Sequence, residues 1–455
     1  MPSWRWILIV AVAAAVPGCA AVRSYDLELS GTLNEAAAGD VDGAIKRLET
    51  FNPQAQKDLL YYFERGMLER LRYRYDESQK AWAAAQSRIE SADKGVAGEA
   101  LRNASSYLVS DKMRVYEAHD YEKVMLLTYM ALNQLALGQY DQARVAITQT
   151  HELEATIELA RARALADVEA EAKKRGATTS FKELDGYPVE TIDNPEVNAL
   201  KNSYQSALSH YLAGFIYESL GEPSLAAPGY RLANELQPNR PQLEEALRGL
   251  DRRVRAAPDG MVDVLFIVSS GAAPALRSQQ FRLPVPLKDA SVLVSYSFPL
   301  LMPGLFYDAP QALTIGGAQR VALTPLTSVD LMARRSLKDD MPGIMLRAVV
   351  RATASAILQY QAQRHGDKEA AAAAGVAALV ASAVLQTADD RTWRSLPAEV
   401  AMARVRLPPG VHDVTLDSAM GQSRARISIS GRYAVIDFRV LARQLFVHAL
   451  REASQ

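Results

Sequence analysis

The sequence lacks most of the signatures that identify an enzyme. Its 455 residues include one cysteine, which excludes a disulfide framework, a thiolate metal site and a CxxC redox motif. Lysine and arginine, 51 in total, balance 52 aspartate and glutamate residues, and the formal net charge of −1 argues against a dedicated nucleic-acid surface. A P-loop, a GxGxxG fingerprint and a GxSxG nucleophile elbow are also missing. We therefore expect no cofactor and no nucleic-acid partner.

The histidines are few and scattered. The six lie at positions 119, 151, 210, 365, 412 and 448, and none is paired at metal-ligand spacing. His151-Glu152 begins like the helix of a zinc protease, but residue 155 is Ala, so the second ligand is missing. His210 is expected to pack inside a helical repeat. We predict no metal site and no catalytic residue.

The single cysteine follows a short apolar segment at the N-terminus. The run Ile7–Val16 behind a basic residue predicts a secretory signal peptide over residues 1–18. Val16-Pro17-Gly18 before Cys19 resembles a bacterial lipobox, in which the cysteine is acylated and becomes the mature N-terminus. The resemblance implies a lipoprotein with palmitate at Cys19. It also implies the periplasmic face of the outer membrane, because Ala20 stands where the inner-membrane retention signal has aspartate. The alternative is an ordinary signal peptide that contains a cysteine by chance.

The first half of the chain repeats with the period of a helical array. Residues 209–239 fit a 34-residue tetratricopeptide repeat, and residues 125–154 fit a second copy. Weaker copies lie around residues 36–48 and 66–85, where generic amphipathic helices are the alternative. The residues expected to pack the repeats are Gly214, Tyr217, Ala226, Tyr230, Ala233 and Pro238 in the first copy and Ala131, Gly138 and Ala143 in the second. We predict a tetratricopeptide-like domain over residues 19–257, whose concave groove binds a protein partner.

After residue 257 the apolar period changes from 3.6 to 2, which predicts a mixed strand and helix domain over residues 258–395. The continuous apolar run Met261–Val268 is typical of a central strand. Gly316-Gly317 indicates the tight turn of a hairpin. Ala370–Ala388, 19 residues without a charge, is predicted to be an Ala-rich helix packed on the helix before it. A membrane span is the alternative for this segment.

Residues 396–455 are predicted to form a β-rich module with a terminal helix. Arg424–Ser430 and Tyr433–Val440 are expected to pair as a hairpin, followed by an amphipathic helix over about Leu441–Arg451. The Pro409-Gly410 turn ahead of alternating strands resembles the small PEGA-type β modules of bacterial surface proteins. The predicted fold class is therefore α+β. An all-α tetratricopeptide-like array comes first, and a mixed α/β domain that ends in a PEGA-like module follows it.

Three segments together resemble a family of uncharacterised proteobacterial outer-membrane lipoproteins with tetratricopeptide repeats. They are His119–Val145, Thr392–Gly410 and the lipobox with Cys19. The resemblance implies a protein without recognised catalytic residues. Genes of this family often lie beside one for a penicillin-binding-protein activator lipoprotein, which implies work in the cell envelope.

These features favour a non-enzymatic function. We expect a lipid-anchored periplasmic scaffold or adaptor that binds protein partners through its helical repeats in cell-envelope assembly. A more specific version is an activator of a peptidoglycan synthase. The competing hypothesis is an enzyme or ligand-binding protein with its site in the C-terminal half. A deep polar pocket near His412, Asp413 or Asp437 would favour it.

Overall fold

A computed structural model of the protein describes residues 24–55, 57–94, 111–177, 179–184, 186–257, 259–287, 290–365 and 387–449. The predicted signal peptide, Cys19 and residues 370–386 of the predicted Ala-rich helix lie outside these ranges. Helices make up the first half and sheets dominate the second, so the predicted α+β order is confirmed. Within the described ranges, no helix is both long and apolar enough to cross a membrane.

The helical half is built mainly from pairs of antiparallel helices. The described helices are α1 (Tyr25–Ala37), α2 (Val41–Phe51), α3 (Leu59–Leu71), α4 (Tyr75–Lys94), α5 (Asp120–Ala136), α6 (Tyr140–Arg175), α7 (Pro195–Ala199), α8 (Ala207–Ser219), α9 (Pro223–Leu236), α10 (Pro241–Arg248) and α11 (Leu250–Arg255). Short 3₁₀ turns lie at Asp111–Met113, Phe181–Glu183 and Val189–Thr191. Four successive pairs pack closely: α1 with α2, α3 with α4, α5 with α6, and α8 with α9.

All four pairs turn with the same backbone geometry. The middle residue of each three-residue connection has a positive φ: Gly39 at 92°, Tyr73 at 62°, Gly138 at 73° and Gly221 at 77°. In each turn the amide of the next residue donates to a carbonyl five residues earlier, at 2.8 to 3.0 Å. This is the Schellman arrangement that ends helices, and glycine adopts it without steric cost. The four pairs therefore share one kind of turn, although their helices differ in length from 11 to 36 residues.

The second half contains eleven strands and one long helix among the described residues. They are β1 (Val262–Ser270), β2 (Ala275–Leu287), β3 (Ala290–Met302), β4 (Ala312–Ile315), β5 (Gln319–Ala322), β6 (Thr324–Ser328), α12 (Val329–His365), β7 (Glu399–Leu407), β8 (Gly410–Ser418), β9 (Gly421–Ile429), β10 (Tyr433–Leu441) and β11 (Gln444–His448). A five-stranded sheet has the order β11-β10-β1-β7-β6, and a four-stranded sheet has the order β5-β4-β8-β9. Strands β2 and β3 form a separate two-stranded ribbon.

The five-stranded sheet lies between the helices and the four-stranded sheet. On β1, Leu265 and Ile267 belong to the core shared with the helices, whereas Val264, Phe266 and Val268 pack against the four-stranded sheet. Strand β1 is buried along its whole length, so the predicted central strand is confirmed. The predicted hairpin at Gly316-Gly317 is also confirmed, since both glycines have positive φ between β4 and β5.

The boundary predicted between residues 395 and 396 is wrong. Strands β1 and β6 of the predicted middle domain pair with β7 of the predicted module, and β4 pairs with β8. These pairings join the predicted domain 258–395 and the predicted module 396–455 into one sandwich. A local pattern indicates each strand, but the strand with which it pairs lies far away in the sequence.

The hairpin predicted between Arg424–Ser430 and Tyr433–Val440 is also wrong. Strand β9 pairs with β8, whereas β10 pairs in parallel with β1 and antiparallel with β11. Strand β10 is almost entirely buried. In the larger sheet it has a hydrogen-bonded partner strand on each of its two edges. The chain therefore crosses from one sheet to the other between β9 and β10.

The terminal helix predicted over Leu441–Arg451 is replaced by a strand in the described residues. Strand β11 follows a tight turn at Ala442, whose φ is 51°, and pairs with the edge of β10. Phe446 packs toward the helices, while Leu445 and Val447 pack toward the sandwich. This alternation matches a strand that covers both faces of the sheet.

Candidate functional site

The residues predicted to pack the repeats lie mostly inside the helix pairs. Helices α8 and α9 approach closely at Gly214, where an added Cβ would lie 2.6 Å from the Cδ1 atom of Tyr230. Gly138 lies in the turn between α5 and α6, and Pro238 is exposed just after α9. The other predicted residues are buried, namely Tyr217, Ala226, Ala233, Ala131 and Ala143.

One face of the helical half binds a segment of the protein's own chain. Three buried carboxylates hold this segment, and they are Asp26 on α1, Glu64 on α3 and Glu122 on α5. Glu122 accepts a hydrogen bond from the amide of Trp393 at 2.7 Å, and Glu64 accepts one from the amide of Arg394 at 2.8 Å. Asp26 pairs with the Arg394 guanidinium. Helices α1, α3 and α5 are the first helices of three of the four pairs, and together they form this face.

The indole of Trp393 packs against aromatic side chains of α3 and α4. It is fully buried and stacks on Phe63, with ring centroids 4.5 Å apart and an interplanar angle of 14°. Its Nε1 donates to the Ser395 hydroxyl at 2.9 Å. Trp82 packs edge-on against it at 6.0 Å and in turn lies against Gly66, where a Cβ would overlap the Trp82 ring. This face of the helices is therefore covered by apolar and polar groups of the same chain.

Glu64 is in an unusual electrostatic environment. Burial raises its pKa to about 7, although hydrogen bonds from Ser395 and from the Arg394 amide partly oppose that rise. Ionisation of Glu64 in the folded protein is therefore costly near neutral pH. Sequence reasoning missed all three carboxylates, because an acidic residue inside a helix usually faces solvent.

We predict that Glu64→Gln changes the pH dependence of stability. Between its usual pKa of 4.5 and its folded value of about 7, Glu64 keeps its proton when folded and loses it when unfolded. The free energy of unfolding of the parent protein therefore falls as pH rises through this window, by about 3 kcal/mol from this group. Glutamine does not ionise, so urea unfolding at pH 4.5 and pH 8 should show the variant gaining that amount relative to the parent.

The matched control for this experiment is Glu90→Gln, at an exposed position on α4. Its stability relative to the parent should stay the same at both pH values. An equal stability difference for Glu64→Gln at pH 4.5 and pH 8 would contradict the raised pKa of Glu64, because it would mean that folding leaves this pKa unchanged.

A second candidate site is a cleft of about 940 Å³ at the C-terminal end of the helical half. Helices α10 and α11 form one wall, and the ends of β1, β7 and β10 form the other. Its charged lining consists of Arg252, Arg253, Arg404, Arg406 and Arg432, against Glu245, Asp259 and Asp263. The apolar lining includes Ala246, Ala256, Met261, Val405 and Tyr433. The lining thus combines apolar surface with an excess of guanidinium groups.

The floor of the cleft is a buried ion network around Glu218 of α8. Arg404 binds Glu218 at 2.7 Å and Asp263 at 2.7 Å, and Arg253 binds Glu218 at 2.7 Å. The Arg404 guanidinium also lies over the ring of Phe215, 5.1 Å from its centroid. Burial alone would raise the pKa of Glu218, but hydrogen bonds and charge from Arg253 and Arg404 lower it to about 2. The network links the last helix pair rigidly to β1 and β7.

The rim of the cleft is built differently from its floor. Arg406 pairs with Asp259, and Arg252 pairs with Glu245 at 2.9 Å, all with exposed side chains. Pairs of this kind contribute only about 0 to 1 kcal/mol, so an anionic ligand could replace their carboxylates at little cost. The Arg432 guanidinium donates to backbone carbonyls at the end of α11. It is thereby fixed at the rim.

The cleft and the N-terminal helix lie at opposite ends of β1. Asp263, near the start of β1, lines the cleft. Beyond the end of β1, the carbonyl of Ala273 accepts a hydrogen bond at 3.3 Å from Arg394, the partner of Asp26 on α1. Strand β1 has nine residues. At about 3.3 Å per residue, β1 is about 30 Å long, and this length separates the cleft from the start of α1.

The polar residues considered for a C-terminal active site do not converge. His412 and Asp413 lie on β8 of the four-stranded sheet, where Asp413 pairs with the exposed Arg426 at 2.9 Å. Asp437 lies on β10 and pairs with the buried Arg70 at 2.7 Å. They therefore do not form one pocket.

His210 is buried in the helical half, consistent with its expected packing role. Its Nε2 lies 3.1 Å from Glu154, and its ring stacks on His151 with centroids 5.3 Å apart. Burial lowers the pKa of His151, and the neighbouring His210 lowers it further. In the described part of the chain, no group of three or more histidine, cysteine, aspartate or glutamate residues has a geometry that could hold a metal ion.

Comparison of the chain with models of protein families, with curated proteins and with solved structures finds no match.

Proposed function

We propose that this protein is a lipid-anchored periplasmic scaffold or adaptor that binds a protein partner during cell-envelope assembly at the outer membrane. The lipobox-like residues before Cys19 support the anchor. The four helix pairs with their shared turn support a tetratricopeptide-like array. The PEGA-like interpretation applies to β8 and β9, which follow the Pro409-Gly410 turn.

The observation that carries this proposal is the arginine-rich cleft. The face of α1, α3 and α5 already holds residues of the same chain, so the partner is assigned to the cleft at the other end of the array. Its five arginines outnumber its three carboxylates, and apolar surface lies between them. An acidic segment of a partner with apolar side chains would complement both features. The rise of β1 puts this cleft about 30 Å from α1, which supports a partner site away from the end that the lipid would anchor.

A second candidate function is binding of a small anionic molecule. The cleft of about 940 Å³ falls within the range of about 300–1,000 Å³ that small-molecule sites occupy. Arginine favours carboxylate and phosphate groups because its planar fork matches their geometry. In this second candidate function the site is the same cleft, but the ligand is a small anion in place of a protein segment.

One experiment in cells tests both parts of the proposal. The parent protein should fractionate with the outer membrane, and Cys19→Ala should be lost from that fraction because the lipid attachment is removed. A photo-crosslinking amino acid at Met261, in the cleft, should then capture one distinct protein, which mass spectrometry identifies. Arg406→Glu in the same chain should strongly reduce that adduct, since it reverses one rim charge.

The matched control carries the same crosslinker at Leu159, which is exposed on α6 outside the cleft. Equal adducts at Met261 and Leu159 would contradict a partner site in the cleft. Retention of Cys19→Ala at the outer membrane would contradict the lipid anchor. An anion seen bound by native mass spectrometry and lost in Arg406→Glu, without a protein adduct, would favour the small-molecule version.

A further inference from the structure

Several large apolar side chains are exposed near the N-terminal end of the described structure. Most residues of this type are buried in the cores of the helices and the sandwich, so their exposure here is notable. The side chains and their exposed fractions are Leu27 at 69%, Met302 at 36%, Phe306 at 75% and Met420 at 62%.

Contacts with neighbouring residues place Leu27 and Met302 at the same end of the molecule. Leu27 follows Asp26, whose carboxylate binds Arg277 of β2 at 3.0 Å. Two residues before Arg277, Ala275 is the strand partner of Met302. The start of α1 and the end of β3 are therefore close neighbours.

The loop after β3 places Phe306 and Met420 at this end too. Gly304 lies directly against the backbone of Ala272 and Ala273, the residues before β2. Asp308, further along the same loop, accepts a hydrogen bond from the amide of Met420. The loop thus joins the end of β3 to the turn between β8 and β9.

The loop that carries Phe306 is fixed by its neighbours. An added Cβ at Gly304 would overlap the carbonyl oxygen of Ala272, and one at Gly271 would overlap the ring of Tyr307. Gly271 itself has a φ of 73°. These close contacts hold the residues on both sides of Phe306 against the protein. The exposed phenyl ring therefore projects from a fixed backbone.

The lipid-bearing residue must lie close to these side chains. Cys19 precedes Ser24, the first described residue, by five positions. A chain of five residues spans at most about 18 Å when fully extended. If Cys19 is acylated, the start of α1 therefore lies within about 18 Å of the bilayer surface.

We propose that Leu27, Met302, Phe306 and Met420 form a membrane-contact patch that seats this end of the protein on the bilayer surface. The inference depends on the lipid anchor of the proposed function. Apolar side chains at an interface enter the boundary between headgroups and acyl chains and add to the attachment provided by a lipid. Seated in this way, the protein holds the arginine-rich cleft about 30 Å away from the patch, at the other end of β1.

Tryptophan fluorescence offers a direct test. The chain from Ala20 onward retains every described residue and contains only Trp82 and Trp393, both fully buried. We would attach this chain through an N-terminal hexahistidine tag to vesicles of phosphatidylcholine with nickel-chelating and dibrominated lipids. The indole introduced by Phe306→Trp should be quenched about twofold, because interfacial side chains sit roughly 5–10 Å deep in the headgroup region.

The matched control is Val411→Trp, at a residue that is 65% exposed near the start of β8. It lies about 25 Å from the Met420 end of that strand, so its indole should not be quenched. Equal quenching of the two variants, or none in Phe306→Trp, would overturn the patch. A dimer of the parent chain that Phe306→Ser abolishes would also overturn it, because a second copy would then cover these residues.

The chelating lipid replaces the acyl chain, so this test does not depend on modification of Cys19. Mass spectrometry of the protein from cells tests the anchor separately. Quenching of Phe306→Trp with an unmodified Cys19 would support the patch and overturn the anchor. An acylated Cys19 without quenching would support the anchor and overturn the patch.

Discussion

Trp393→Ala is expected to destabilise the protein by about 3–5 kcal/mol, the usual cost of truncating a large buried aromatic side chain. The indole is fully buried and stacks on Phe63 of α3, although Trp393 itself precedes β7 in the second half of the chain. The cavity would therefore open where the helices meet the C-terminal half. Urea unfolding followed by circular dichroism should show one transition shifted to lower urea, because both halves share this core.

Two further variants serve as comparisons for Trp393→Ala. Trp393→Phe keeps a ring over Phe63 and should lose less stability than Trp393→Ala. Val115→Ala, at a residue that is 86% exposed, should be close to neutral. A loss below about 1 kcal/mol for Trp393→Ala would contradict this role of the indole. Separate transitions for helices and sheets would show that the two halves unfold independently.

The features predicted correctly from the sequence depend on nearby residues. The hairpin at Gly316-Gly317 follows from glycine's access to positive φ. Strand β1 was visible as a continuous apolar run, because a strand buried on both faces needs no polar alternation. Such patterns are contained within about ten residues of the chain.

The incorrect predictions concern partners that are distant in sequence. Residues 441–451 have an amphipathic pattern, yet β11 forms there because β10 offers a free edge. Glu122 accepts a hydrogen bond from the amide of Trp393, which lies 271 residues later in the chain. Neither helix periodicity nor local charge indicates such a contact.

The cleft contains a further contact that local sequence does not indicate. Arg404 and Arg406 are two residues apart on β7, so their side chains leave the strand on the same face. Arg406 is exposed at the rim, but Arg404 is almost fully buried between Glu218 and Asp263. The difference depends on Glu218, which approaches from a helix almost two hundred residues earlier.

Glu218→Gln is expected to destabilise the protein by about 3–5 kcal/mol at pH 7, because it leaves Arg253 without its carboxylate partner and leaves Arg404 with Asp263 alone. The pKa of Glu218 is about 2 in the folded protein, below its usual 4.5. Its contribution is therefore fully present above pH 4.5 and is lost as pH falls from 4.5 toward 2. The difference in unfolding free energy between parent and variant should shrink by about 3 kcal/mol over this window.

The control for this variant is Glu245→Gln, which removes a carboxylate from an exposed pair with Arg252 on the rim of the same cleft. It should cost less than about 1 kcal/mol and should show little pH dependence. If Glu218→Gln were as mild as Glu245→Gln, the ion network would not hold the helices against β7. The cleft would then lack a rigid floor, and the proposed partner site would need to be induced by its ligand. A large, pH-dependent loss for Glu218→Gln alone would instead support a preorganised floor, in which Arg404 and Arg253 are fixed in place. Arg406 and Arg252 at the rim would then exchange only their exposed partners, Asp259 and Glu245, for an anion.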